Sequence, residues 1–157
     1  MQFVTGGAYN GKKKWVSQAF SDQLQKEHLW FSCYKQDIKK LPAKVEDDSK
    51  FVVIEGVEQG LRSFLKQQTE ADAFIENYLT PWLDWEQQEE ERELILIGSD
   101  ISKGIVPTER EMRNWRDETG RLYQKLTNEA TFIHFIWFGI SSTYEGGNKD
   151  EIVYKNR

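Results

Sequence analysis

The chain has 157 residues, 38% hydrophobic and 30% charged, with 21 basic against 26 acidic side chains and a net charge of −5. A length near ~150 residues suits one hydrophobic core, so a single domain over 1–157 is expected. The longest apolar runs (94–97 and 135–140) fall far short of the ~20 residues of a membrane-spanning helix, and the acidic balance argues against a nucleic-acid binder. Cys33 is the only cysteine, and His28 and His134 are the only histidines, which excludes an intrachain disulfide and a cysteine-based zinc site. The first 30 residues hold no apolar leader-like stretch, and a reduced, cytoplasmic setting is the expectation.

Taken in chain order, residues 1–5 read as a strand. They are followed by Gly6-Gly7-Ala8-Tyr9-Asn10-Gly11-Lys12 and a helix over 13–26. Strands are expected over 28–33, 51–55, 93–97 and 131–138, and helices over 57–67, 70–91 and 109–127. Residues 34–50, with Pro42 and the acidic run Glu46-Asp47-Asp48, read as a long loop. Residues 86–93 read as a charged, solvated helix end, and 144–157 as a turn and tail in which 152–154 could add a short edge strand. Val52-Val53-Ile54 and Leu94-Ile95-Leu96-Ile97 are continuous apolar runs, as in strands covered on both faces. Strand–helix alternation with such strands gives the expected class: α/β, a three-layer phosphate-loop (RecA-like) fold with a mostly parallel sheet.

Gly6, four intervening residues, Gly11 and Lys12 have the phosphate-loop spacing. Glycines let the backbone wrap a phosphate with its N–H groups inward, the helix start adds partial positive charge, and the lysine reaches the outer phosphates. Gly6, Gly7, Ala8, Tyr9, Asn10, Gly11, Lys12 and Lys13 are therefore the candidate nucleotide-binding residues, with Tyr9 able to stack on a base. The position after Lys12 should carry the hydroxyl that helps hold Mg²⁺; it is Lys13. Glu55, an acid closing an apolar strand, stands where such proteins hold Mg²⁺ through water. It is the candidate metal residue and, with Lys12, a candidate catalytic one.

The run Gly104-Ile105-Val106-Pro107, then Arg110, Trp115-Arg116-Asp117, Gly120-Arg121, Gln124 and Leu126, resembles the signature of the adenosylcobinamide kinase / adenosylcobinamide-phosphate guanylyltransferase family. Thr5-Gly6-Gly7-Ala8 with Gly11-Lys12, Glu55 at a strand end, and the last strand running into Gly139-Ile140 agree with it. The resemblance implies a trimeric phosphate-loop protein of cobalamin synthesis or salvage that uses GTP or ATP, with Mg²⁺. In that family a nucleoside triphosphate phosphorylates the aminopropanol hydroxyl of adenosylcobinamide. GTP then transfers GMP to that phosphate through a guanylylated histidine.

The chain departs from the family at three places. No histidine lies anywhere from Leu29 to Phe51, the stretch from Lys12 to Glu55 is shorter than the family's, and the family's Thr-Asn-Glu-Val-Gly becomes Gly98-Ser99-Asp100-Ile101-Ser102. The acid that survives, Asp100, is the third candidate catalytic residue. A histidine-linked guanylyl intermediate is not supported, and His134 is expected as a packed core group. The reading is thus a nucleotide-dependent kinase acting on a corrinoid. Its alternative is a non-catalytic paralogue that binds nucleotide or corrinoid. The arginines of the last helix read mainly as surface partners of acids four residues away, and Trp82 and Trp85 as packing or subunit-contact groups rather than a corrin-binding stripe.

Overall fold

The computed structural model describes residues 1–46, 48–66 and 71–147. Six strands form one sheet: β1 (Gln2–Gly6), β2 (His28–Ser32), β3 (Phe51–Glu55), β4 (Glu93–Ser99), β5 (Phe132–Trp137) and β6 (Ile140–Glu145), in the order β2-β3-β4-β1-β5-β6. The first five are parallel and β6 is antiparallel to β5. β4 lies between β1 and β3 in the sheet. This ordering places the carboxyl ends of β1, β3 and β4 side by side, at Gly6, Glu55 and Ser99.

Alternate side chains of the central strands feed two cores. Val4, Val53, Ile95 and Ile97 meet Val16 of the helix α1 (Lys12–Ala19) and Phe20, the residue between α1 and α2 (Ser21–Leu24). Phe3, Ile54, Leu94 and Leu96 meet Leu61, Phe74, Trp82 and Leu122 on the opposite face. Those come from α3 (Val57–Leu65), the helical segment made of α4 (Ala71–Phe74), a π-turn (Ile75–Leu79) and α5 (Thr80–Gln87), and α6 (Arg110–Glu129). Covering both faces is what permits strands without polar alternation, and the three-layer α/β architecture is as the sequence leads one to expect.

Four details differ from the sequence reading. The helix over 13–26 is broken at Phe20, whose φ/ψ of −116°/31° is not helical. The helix over 70–91 ends at Gln87. The loop 34–50 carries one turn of 3₁₀ helix, Ile38–Lys40, which buries Ile38. The turn and tail from 144 begins instead inside a strand, β6, and 152–154 lies outside the described residues. β5 and β6 are joined by Phe138-Gly139, both with positive φ (49° and 79°), the backbone of the two-residue hairpin turn whose twist matches the strands. The hairpin is tied to the glycine loop, because Gly139 N–H donates to Asn10 C=O at 2.9 Å.

Leu96 is fully buried and pairs in register with Phe3 and Ile54. Leu96→Ala should cost about 2–5 kcal/mol of unfolding free energy, read as a lower urea midpoint at unchanged slope.

Candidate functional site

The glycine loop leaves β1 at Gly6, whose φ is +150° and where a Cβ would sit 2.1 Å from the Ile136 carbonyl oxygen of β5. Only glycine lets the chain turn this close to the neighbouring strand. Gly11, at φ +87°, caps α1 in the left-handed region. Tyr9 is also left-handed at φ 58°, with its side chain wholly in solvent. Lys12 opens α1 and is buried. Its ammonium turns back onto the loop, donating to Gly7 C=O at 2.7 Å and Gly6 C=O at 3.3 Å. Burial pushes its pKa down, against the pull of Glu58 and Glu55. The loop is thus clamped by its own lysine.

Lys13 points to β3. Its Nζ lies 3.8 Å from Glu55 Oε2 and 5.4 Å from the centre of the Trp30 ring, while Trp30 Nε1 donates to the same Glu55 oxygen at 3.1 Å. Lys12, Lys13, Lys14, Glu55, Tyr34 and Glu58 share one cavity of roughly 780 Å³ with Tyr9 and Ser99. Asp100 lies on the other side of the loop. Its N–H donates to Gly6 C=O at 2.9 Å, and its Oδ1 accepts from Ser102 N–H at 2.8 Å and Ser102 Oγ at 2.5 Å. It lines a second cavity of roughly 450 Å³ together with Gly6, Gly7, Asn10, Lys103 and the aromatic residues of the hairpin. The fold therefore brings Lys12, Lys13 and Glu55 together and places Asp100 across the loop from them.

Glu58 was not among the expected residues. It sits in the first turn of α3, is 1% exposed, and holds three elements together. Tyr34 Oη donates to its Oε1, and Ser99 N–H donates to its Oε2 at 3.0 Å. Tyr123 of α6 lies 3.3 Å from Oε2 but also bonds Ser99 C=O at 2.7 Å. A phenol has one proton, and the carbonyl takes it at the shorter distance. Burial raises the Glu58 pKa, against the hydrogen bonds it accepts from Tyr34 and Ser99. An acid in the first turn of a helix is an ordinary helix start, so its sequence position gives no sign that Tyr34 and Tyr123 close over it.

The two histidines lie elsewhere. His28 begins β2, at the sheet end opposite the loop, with Nδ1 on Lys26 C=O at 2.8 Å. His134 is buried in β5 between Thr143 Oγ1 (2.8 Å) and Gln2 Oε1 (2.7 Å), with its ring against Trp15, and burial lowers its pKa. Both ring nitrogens are engaged, as expected of a core group. Burial, with Glu58 nearby, pushes the Cys33 thiol up to about 12, so it is no nucleophile at neutral pH. The arginines of α6 do not pair with acids four residues away. Arg113 donates to Pro107 C=O at 3.1 Å, Arg116 to the Ser102 carbonyl, and Arg121 pairs with Glu118. The first two tie down the 102–108 segment that carries the exposed Ile105 and Val106.

The residues do not fit the magnesium that Glu55 was expected to hold. The hydroxyl position is an ammonium, and that ammonium already lies against the Glu55 oxygen that a metal-bound water would need. Among the described residues, no helix is long and apolar enough to cross a membrane.

A glycine loop between β1 and α1 on a sheet with β4 inserted beside β1 defines a phosphate-loop α/β protein. The chain matches the family of cobinamide kinase / cobinamide phosphate guanyltransferase over residues 23–144. It belongs to that family, which acts on cobinamide with a nucleoside triphosphate in cobalamin biosynthesis. The matched span runs from α2 to β6 and starts after the glycine loop, so the loop stands on its own spacing and geometry. No curated protein matches the chain.

The raised pKa of Glu58 has a measurable consequence. A carboxyl whose folded pKa is raised stabilises the fold fully below its unfolded pKa, and that stability is lost as pH rises through the folded value. Comparing urea unfolding of the wild type and Glu58→Gln from pH 4 to 7 should show the wild type losing ground. The loss should be about 1.4 kcal/mol for each unit of displacement. A difference that stays flat, or moves the other way, contradicts a raised Glu58 pKa.

Proposed function

We propose that this family member keeps the kinase half of the chemistry: transfer of the γ-phosphoryl group of GTP or ATP to the aminopropanol hydroxyl of adenosylcobinamide. The observation that carries the reading is the loop itself, with Gly6 and Gly11 in glycine-only geometry and the Lys12 ammonium held over it. Phosphoryl transfer needs positioning and charge neutralisation more than covalent help from the protein. In this reading the loop amides and Lys12 take the β- and γ-phosphates, releasing Lys12 from the Gly6 and Gly7 carbonyls. Asp100, oriented by Ser102, aligns the acceptor hydroxyl across the loop and takes its proton as the new O–P bond forms and the β,γ-bridge bond breaks. The cavity that Asp100 lines has Phe135, Trp137 and Phe138 along its wall, an apolar surface suited to the flank of a corrin ring.

The guanylyl-transfer step is not part of this proposal. It needs a free nucleophilic imidazole near the loop. His134 has both nitrogens bonded and His28 is at the far end of the sheet.

Purified protein with adenosylcobinamide and γ-labelled GTP or ATP, assayed with and without Mg²⁺, should yield adenosylcobinamide phosphate. Lys12→Ala should lower kcat/KM by about 10²–10³-fold, the size of effect seen when one donor to a developing charge is removed. With α-labelled GTP the protein should acquire no acid-labile label. Product equal to that of Lys12→Ala, with GTP still binding saturably, would leave the non-catalytic binding role instead.

A further inference from the structure

The place where a phosphate loop meets its divalent cation is occupied in this fold by a side chain. The residue after Lys12 sits at the start of α1 and faces the end of β3. In the Mg²⁺-dependent arrangement its hydroxyl and the acid across from it share the metal. Here the residue is Lys13, its Nζ is 3.8 Å from Glu55 Oε2, and the Trp30 ring and indole N–H hold the two together. The ammonium is half-exposed and lies on the cavity that also contains Lys12 and Lys14. It has both the charge and the freedom to meet a phosphate entering there.

Glu58, the other acid on that cavity, has both carboxyl oxygens turned into the Tyr34, Ser99 and Tyr123 contacts. The wall facing the loop therefore has one carboxylate outside that cluster, Glu55, and Lys13 already pairs with it. A cation brought to that carboxylate would meet like charge at the distance where it would bind. An incoming triphosphate would instead meet three lysines.

We infer that Lys13 takes the place of the divalent cation, so that nucleoside triphosphate binds this loop as the free polyanion with its outer oxygens on the Lys13 ammonium, which Glu55 and Trp30 orient. The inference rests on the nucleotide-binding part of the proposal above and concerns how that same site is charged.

The test is calorimetric titration of GTP into the full chain, once in EDTA and once in excess Mg²⁺, for the wild type, Lys13→Ser and Lys13→Arg. The wild type should bind in EDTA with a Kd within about threefold of its value in Mg²⁺. Lys13→Ser restores the hydroxyl and should bind at least about tenfold more weakly in EDTA, the ratio expected when one charge-assisted phosphate contact is lost, and should regain affinity when Mg²⁺ is added. Lys13→Arg keeps the charge and should stay close to the wild type in EDTA. Lys13 is exposed, and thermal unfolding of each variant checks that the fold is intact.

Wild-type binding that appears only with Mg²⁺ overturns the inference and leaves the nucleotide reading standing. So does Lys13→Ser binding in EDTA as tightly as the wild type. Absence of saturable binding under both conditions overturns the inference together with that reading.

Discussion

Three ammonium groups open α1, at the end of the helix whose dipole repels them. That charge has to be answered locally, and much of the site follows from how it is answered. Lys12 turns back onto the Gly6 and Gly7 carbonyls and closes the loop on itself. Lys13 crosses to Glu55 and Trp30, linking α1 to the middle of β2 and the carboxyl end of β3. Lys14 faces the cavity with them. Lys12, Lys13 and Lys14 thus make a compact positive site on a protein of net charge −5. The hairpin turn at Phe138-Gly139 braces this loop from the other side through Asn10, so an edge strand far along the chain sets the geometry of the first turn.

The central sheet was legible because continuous apolar runs such as Val52–Ile54 and Leu94–Ile97 have one cheap solution, burial on both faces. The glycine loop was legible because its spacing reflects backbone geometry that other residues cannot adopt. β6 was not legible for the opposite reason. Ile140-Ser141-Ser142-Thr143-Tyr144-Glu145 is an edge strand with little burial on either face, so neither apolar alternation nor an apolar run marks it. The break at Phe20 arises where that ring packs against Phe51, a contact between segments distant in sequence. Glu58 was missed because its burial is made by Tyr34 from a loop and Tyr123 from a helix 65 residues on.

Family membership and site geometry bear on different halves of the activity. The matched span covers the sheet from β2 onward and the α6 region with its Gly-Ile-Val-Pro segment. Within it, His134 serves as a bonded core group, and the segment from Leu29 to Phe51 holds no imidazole at all. Gathered at the carboxyl ends of β1, β3 and β4 are the lysines, the loop amides, Glu55 and Asp100, the groups that the proposed kinase reading uses. The histidine-free segment 29–51 and the lysine at position 13 both fall in the stretch of chain between the loop and β3.

The most direct measurement is the rate of adenosylcobinamide phosphorylation by GTP in EDTA, set against the rate in Mg²⁺ and against Lys12→Ala in both. The account predicts Lys12-dependent product in EDTA at a rate comparable to that in Mg²⁺. Product that requires Mg²⁺ would contradict the replacement of the metal by Lys13, and absence of product in both would contradict the kinase itself.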